Sequence, residues 1–434
     1  MMNALLNRFG DRSARVVVVG AGYVGLPFAV NACRAGFHAA AYDRAADKIA
    51  SLQQGHSYVG DVPDSVLAPL IQSRQLVASS DPEILRDADA VVICVPTPLN
   101  KTRDPDNSFI LDAAEILLPR MRSPQLVVLE STTFPGFTRE VLLPKLSSGG
   151  LRPDEDFFLA FSPERVDPGN ATYQTQNTPK VVGGISATSL QMAQALYSCF
   201  IDHIVPVSSA DVAEMVKLLE NTFRAVNIGL VNEMAMMCAR LGIDTWEVIE
   251  AAASKPFGFL PFYPGPGLGG HCIPIDPLYL SWKLKVLKYN ARFIQLADEV
   301  NSSMPEFVVV KIADALNQRR KAVHGSRILV CGVAYKRNIS DLRESPALDI
   351  IDLLHRRGAL VHVHDTHVPA VVHDGAPVQN VSLDRVEDYD CVAIVTDHGD
   401  VDYHSLVERA QLVVDARNAT RDVRRARTDK VVSI

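Results

Sequence analysis

The sequence predicts an α/β protein with two doubly wound parallel-sheet domains joined by a central helical domain. Three observations carry this. A β-branched run closing on glycine occurs twice, from Ala14 to Gly20 and from Ser326 to Gly332. Each copy continues through a helical stretch into a second strand with an acidic end, Asp43 in the first and Asp365 in the second. Between the copies the pattern turns to long helix.

The first copy supplies the N-terminal sheet. Buried apolar strands alternating with helices indicate parallel strands covered on both faces. The echo extends further along both copies. Asp87-Ala-Asp-Ala-Val-Val-Ile matches Asp388-Tyr-Asp-Cys-Val-Ala-Ile, and Gln125-Leu-Val-Val matches Gln411-Leu-Val-Val, in the same order. Each copy therefore reads as a Rossmann-like domain. The middle holds a run of helix formers from Ala210 to Leu241, interrupted only by Gly229 and ended by Gly242. A second helical stretch runs from about Ala291 to Arg320, and Pro305 is expected to break or kink it. The expected division is 1–203, a nucleotide-binding domain; 204–320, the helical domain; and 321–434, the second Rossmann-like domain.

A net charge of −7 leaves no basic excess for broad nucleic-acid binding. No apolar run reaches membrane-spanning length, and the N-terminal residues do not read as a secretory signal. The seven cysteines are scattered singly, without CxxC pairs, which argues against a disulfide framework or a zinc site. A cytoplasmic location is expected. His362 and His364 share one face of a predicted strand with no cysteine pair nearby, so these and His367 are read as structural and no metal is expected.

Gly20-Ala-Gly22-Tyr23-Val24-Gly25 is a GxGxxG turn between a strand and a helix. Such a turn lets backbone approach a pyrophosphate at the helix N-terminus. Asp43 then ends the next strand, where a carboxylate binds ribose hydroxyls and repels a 2′-phosphate. NAD is the expected cofactor, although the neighbouring Arg44 tempers the preference over NADP. The second copy lacks these glycines. Its first turn carries Lys336 and Arg343 instead, which suits an anionic ligand other than a second NAD; a solvated basic loop is the alternative.

The stretch from Gly265 to Tyr279 holds four glycines and several prolines and must be a shaped loop. It ends in Asp276-Pro277, read as an N-cap followed by proline at the first helical position. Cys272 then lies just ahead of a helix N-terminus, where a thiol ionises more easily. The other six cysteines sit in apolar contexts and are read as buried packing residues. Lys217 and Asn221 are four apart, hence on one helix face. Lys217 reads equally as a catalytic cation or as a surface lysine with a buried stem.

These blocks resemble the UDP-glucose/GDP-mannose dehydrogenase family over nearly the whole chain, most closely a bacterial branch acting on UDP-N-acetylglucosamine. The resemblance rests on Val95-Pro-Thr97-Pro-Leu, Glu130-Ser-Thr132-Thr-Phe-Pro-Gly, Ser162-Pro-Glu164-Arg165-Val166-Asp-Pro-Gly-Asn, Lys217-Leu-Leu-Glu-Asn221, the Cys272 loop, and Ala334 through Pro346.

The resemblance implies two hydride transfers to NAD, a covalent intermediate on Cys272, and a UDP-sugar held by the C-terminal sheet. It implies an oxyanion cation in Lys217 with Asn221 beside it, water held by Asp276 and Thr132, and a hydrolytic carboxylate in Glu164. Cofactor contacts are implied for Thr97 and Arg343. Substrate contacts are implied for Glu164, Arg165, Val166, Lys217, Asn221, Tyr263, Gly269 and Lys336. A homodimer through the central helices is implied too, and an envelope polysaccharide as the product's destination. The insertion of Pro168 between Asp167 and Gly169 departs from the UDP-glucose pattern and favours an acetamido sugar. N-acetylgalactosamine, N-acetylmannosamine and plain glucose stay open as the sugar. A small-hydroxy-acid dehydrogenase could share the first sheet and a Lys-xxx-Asn helix, but needs neither Cys272 nor a second nucleotide-type domain. A non-catalytic nucleotide-sugar binder needs no thiol, lysine and carboxylate set.

Overall fold

In the computed structural model the described residues are 2–100, 102–166, 172–373, 376–424, 426 and 429–434. The chain divides into two compact units, Met1–Glu220 with Leu278–Lys288, and Asn221–Pro277 with Tyr289–Ile434.

The first unit is built on an eight-stranded sheet. Its strands are β1 (Arg15–Val19), β2 (His38–Tyr42), β3 (Leu76–Ser79), β4 (Ala90–Ile93), β5 (Gln125–Leu129), β6 (Phe157–Phe161), β7 (Lys180–Gly184) and β8 (Ile204–Val207). They lie in the order β3-β2-β1-β4-β5-β6-β7-β8. Val16, Val17, Val18 and Val19 are all buried, as strands covered on both faces require. The sheet is not wholly parallel as expected, because β7 runs antiparallel to β6. The connection 162–179 has no helix among its described residues, and without a crossover the chain returns antiparallel. The Ala187–Tyr197 helix then provides the crossover that makes β7 and β8 parallel.

The second unit holds a parallel five-stranded sheet, β9 (Arg327–Cys331), β10 (Leu360–His364), β13 (Cys391–Ile394), β14 (Val413–Asp415) and β15 (Val431–Ser433), ordered β10-β9-β13-β14-β15. A small antiparallel pair, β11 (Val371–His373) and β12 (Ala376–Val378), follows β10 in the chain. The strands of the internal repeat take equivalent places: β2-β1-β4-β5 in one sheet, β10-β9-β13-β14 in the other.

The long helix spans Ala210–Leu241, as the run of helix formers predicts. The later helix, Arg292–Gln318, runs unbroken through Pro305, so the break expected there does not occur. Proline cannot bond the carbonyl of Asn301 one turn back. That carbonyl meets the cysteine loop instead: a Cβ on Gly267 would lie 3.3 Å from it. Packing holds this stretch helical, since Asn301, Met304, Pro305, Val308 and Val309 are all buried. No helix among the described residues is long and apolar enough to cross a membrane.

Candidate active site

In the first unit the candidate residues gather at the carboxyl ends of the central strands. The chain order reverses there between β1 and β4, the place where open α/β sheets bind ligands. Gly20 to Gly25 form the turn into the Gly25–Arg34 helix. A Cβ on Gly25 would fall 1.9 Å from the Gly20 carbonyl oxygen, so only glycine lets the helix start so close to the strand. A Cβ on Gly22 would meet nothing within 4 Å, which leaves room above the turn for a pyrophosphate. Tyr23 is exposed and Val24 is the residue just ahead of the helix. Asp43 accepts the Ala21 N–H on Oδ2 and the Ala45 N–H on Oδ1, each at 3.0 Å. Those bonds fix its rotamer, and each carboxylate oxygen keeps a second lone pair for a ribose hydroxyl. Arg44 turns elsewhere: it lies 3.4 Å from Asp112 and over the ring of Phe109. The turn and Asp43 thus fit a dinucleotide without a 2′-phosphate.

Thr97 is buried beyond β4, and Thr132 is half-buried beyond β5 between buried Ser131 and Thr133. The Ser131 hydroxyl donates to the Val95 carbonyl at 2.8 Å, tying these two strand ends together. Glu214, on the long helix, is fully buried. It accepts the N–H groups of Gly136 (2.6 Å) and Thr138 (2.9 Å) and the Thr138 hydroxyl (2.6 Å).

Glu164, beyond β6, is a meeting point. Its Oε1 accepts the N–H groups of Arg165 (2.8 Å) and Val166 (2.6 Å). Its backbone carbonyl accepts from Lys217 Nζ at 2.6 Å. Lys217 is thus half-buried, with its ammonium held beside Glu164. Arg165 itself pairs with Glu220 at 2.7 Å and donates to the Pro179 carbonyl. Burial alone would raise the Glu164 carboxyl. Lys180, the Val166 N–H, Lys217 and the Arg165 N–H outweigh that and hold it below the ordinary glutamate value. The Asp167-Pro168-Gly169 segment lies outside the described residues.

In the second unit the glycine-rich loop is fastened to the first turn of its sheet. The Gly270 N–H donates to the Arg343 carbonyl at 3.0 Å. Gly270 has φ +82°, and a Cβ there would lie 2.7 Å from the Tyr335 ring; one on Gly269 would lie 2.6 Å from Tyr335 Cβ. The loop is glycine because Tyr335 presses on it. At the far end, the Asp276 N–H bonds the Cys272 carbonyl at 2.8 Å, and the Cys272 side chain is exposed. The helix Asp276–Val286 begins at Asp276 itself, one residue earlier than the N-cap reading placed it. The Asp276 carboxylate is buried and accepts from Asn221 Nδ2 at 2.5 Å. Cys33, Cys238, Cys331 and Cys391 are buried and Cys94 and Cys199 partly so, which leaves Cys272 as the exposed thiol of the seven.

Tyr263 stacks on Trp246, with ring centroids 6.1 Å apart. Lys336 is half-buried on the turn after β9, and Arg343 is exposed and forks onto Asp341. Asp365 stands where Asp43 stands in the first sheet, yet it cannot read a ribose. It is buried and accepts the N–H groups of Val333, Ala334, His367 and Val368. His398 Nε2 lies 3.0 Å from it. The turn's own N–H groups are consumed by that carboxylate, so this sheet offers no glycine cradle for a second dinucleotide. His362 and His364 bond the Tyr389 hydroxyl and the Val381 carbonyl, each at 2.7 Å. His367, His398 and Asp400 come close enough to suggest a metal. His398, however, accepts the Asn338 N–H on Nδ1 and meets Asp365 through Nε2, so it has no lone pair to give.

Family models match the three stretches of the chain in order: the NAD binding domain of the UDP-glucose/GDP-mannose dehydrogenase family at residues 14–201, its central domain at 211–303, and its UDP binding domain at 329–422. The chain belongs to the UDP-glucose/GDP-mannose dehydrogenase family. It is an NAD-dependent UDP-sugar dehydrogenase. UDP-N-acetyl-D-glucosamine 6-dehydrogenase of Pseudomonas aeruginosa is 35% identical to it over 361 residues, 83% of this chain and 84% of that protein. The structure of UDP-D-ManNAc dehydrogenase from Pyrococcus horikoshii superposes with a TM-score of 0.86 at 32% identity, covering 93% and 96% of the two chains. A UDP-glucose dehydrogenase structure from Pyrobaculum islandicum gives 0.82 at 29% identity, covering 93% and 94%.

Some residues of this dehydrogenase's site carry little sequence signal. Lys180, Glu130 and Tyr197 form a buried cluster behind Glu164. The hints are Glu130 at the head of a family block and a lysine opening the otherwise apolar β7, where a covered strand has no place for a charge. Asn232 and Asn301 read as ordinary helix residues, yet both are buried and bonded to each other.

Proposed function

We propose that this dehydrogenase oxidises the C6 alcohol of a UDP-N-acetylhexosamine, best matched by UDP-N-acetylglucosamine, to the carboxylate through a covalent intermediate on Cys272. The observation that carries the reading is the exposed thiol on a loop clamped to the second sheet's first turn and followed by a helix. A simple alcohol or hydroxy-acid dehydrogenase needs no such thiol.

Bound NAD supplies a two-electron hydride acceptor, and alcohol to carboxylate takes two such transfers. The glycine turn and Asp43 would hold it, with Thr97, beyond β4, and Arg343 as further cofactor contacts. The Lys217 ammonium would stabilise the oxygen as the alcohol's hydroxyl proton passes to water and its carbon gives up the first hydride, with Asn221 one turn along the same helix. The Cys272 thiolate then adds to the aldehyde carbon. A C–S bond forms, the oxygen takes a proton, and the aldehyde cannot escape. Loss of the second hydride and of that proton leaves a thioester. Asp276 and Thr132 would hold the water, and Glu164 would take its proton as the new C–O bond forms and the C–S bond breaks. Lys336, Arg165, Val166, Tyr263 and Gly269 are assigned to the UDP-sugar. The three-part division at 203 and 320 follows these roles: NAD, chemistry and UDP.

The Asp167-Pro168-Gly169 departure supports an acetamido sugar. The named relatives act on different sugars, so N-acetylmannosamine, N-acetylgalactosamine and glucose are the comparisons that matter. We assign the product to envelope polysaccharide synthesis. A homodimer is supported by an apolar stripe on the long helix, where Phe223, Leu230, Met237 and Leu241 are exposed at intervals of seven, seven and four.

Activity on the four UDP-sugars, with NADH counted per sugar consumed, tests the substrate and the chemistry together. Two NADH per sugar and preference for the N-acetylglucosamine compound are expected; one NADH per sugar would overturn the covalent route. Cys272→Ser should lose net uronic acid production while still binding NAD and UDP-sugar, since serine is a poor nucleophile without a base.

A further inference from the structure

Lys180 opens β7 and is only 5% exposed. Its ammonium lies 2.9 Å from Glu130 Oε1, 3.6 Å from Glu164 Oε2 and 5.4 Å above the Tyr197 ring centroid. Glu130 is buried just past the end of β5, and its Oε1 also accepts from the Tyr197 hydroxyl. Removing these charges from water costs several kcal/mol per ion, and apolar residues of similar volume would often serve stability as well or better. Packing alone is therefore a weak reason for the cluster. Its geometry supplies a stronger one. Glu164 has one oxygen held by two backbone N–H groups and the other facing Lys180, while Lys217 takes its carbonyl. Among the described residues, Lys180 is the cation that faces that second oxygen.

Burial would by itself drive Glu164 toward its neutral form, and a neutral carboxyl cannot take a proton from water. Lys180 is in turn kept charged: burial pulls its ammonium down, and Glu130 with Glu164 more than offsets this. Glu130 thus anchors the cation, and Tyr197 anchors Glu130.

We propose that Lys180, braced by Glu130 and Tyr197, is a positioning residue that holds Glu164 ionised and in one orientation for thioester hydrolysis. This rests on the reading of Glu164 as the base of that step. The cluster should leave sugar and NAD binding alone and act on the hydrolytic half of the reaction.

The test follows NADH by stopped flow in Glu164→Gln, Lys180→Met, Lys180→Arg and the charge-balanced pair Glu130→Gln with Lys180→Met. Glu164→Gln should give a burst of NADH followed by a steady rate lowered roughly 100-fold or more, the size of a general base's contribution. Lys180→Met should give the same burst, KM values near wild type, and an acid limb of the kcat profile moved to higher pH. Each unit of that move lowers the ionised fraction about tenfold below the limb. Lys180→Arg should recover part of the rate. The double variant removes Glu130 together with its cation, so it should melt closer to wild type than Lys180→Met and still show the burst and the moved limb.

If Glu164→Gln hydrolyses without a burst, the base reading fails and the proposal with it. If Glu164→Gln shows the burst but the folded double variant has neither burst nor moved limb, Lys180 serves stability alone and the proposal is wrong.

Discussion

Glu214 shows how one side chain can couple stability to pH. It is fully buried on the long helix and gathers the turn that follows Thr132 through the N–H groups of Gly136 and Thr138. Burial lifts its carboxyl from the ordinary 4.5 to about 7, against the Thr138 hydroxyl and those backbone N–H groups, which favour the ionised form. An acid raised on folding favours the fold while it is protonated. Its contribution is therefore intact below about 4.5 and is lost as pH rises through about 7. The thermal midpoint of the wild type should fall over this window by more than that of Glu214→Gln, which has no proton to lose. Melting curves at pH 5 and about pH 8 check it; parallel trends in the two proteins would show that Glu214 titrates elsewhere. Sequence alone marked Cys272, Lys217, Asn221, Asp276 and Glu164, because unusual glycine content, helix spacing and family blocks point at them. It did not mark Glu214, Lys180 or Asn232, whose significance lies in what folding places against them.

Among the elements, the loop carrying Cys272 depends on the helices beneath it. Asn232 Oδ1 accepts the Gly265 N–H at 2.9 Å, and its Nδ2 donates to Asn301 Oδ1 at 2.8 Å. Asn301 Nδ2 in turn donates to the Ala225 carbonyl at 3.1 Å. This pair fixes the start of the loop, as the Gly270–Arg343 bond fixes its middle. Asn232→Ala would strand the Gly265 N–H and the Asn301 side-chain Oδ1 in the interior, at about 1–3 kcal/mol for each group left unpaired. A lower urea midpoint and faster alkylation of Cys272 are expected. An unchanged midpoint would mean that the loop's start is held some other way. The same neighbourhood explains Pro305. The helix tolerates it because the carbonyl it cannot bond is turned to the loop, a use that local propensity does not contain.

On the scale of the molecule, one topology is used twice for two different ends. The strand orders correspond, but Asp43 keeps lone pairs available while Asp365 is consumed by five donors of its own unit. The first sheet therefore suits NAD and the second a ligand read through charge. Assembly belongs to this scale too. An exposed stripe of Phe223, Leu230, Met237 and Leu241 is what a monomer would avoid and a dimer would cover. Light scattering on the wild type should give twice the chain mass, and Leu230→Glu should shift it toward the monomer. A wild type that is monomeric at micromolar concentration would refute the homodimer.

Local pattern along the chain was enough to read the repeated α/β architecture, the long Ala210–Leu241 helix, the glycine turn and the cysteine loop. Strand and helix periodicity, glycine spacing and N-terminal helix chemistry are local properties, so they can be read residue by residue. The reversal of β7, the unbroken helix through Pro305, the saturation of Asp365 and the cluster of Lys180, Glu130 and Tyr197 arise from packing across the fold. Each of these depends on partners far apart in the chain, such as Lys180 and Glu130, and no local pattern records which buried group will meet which.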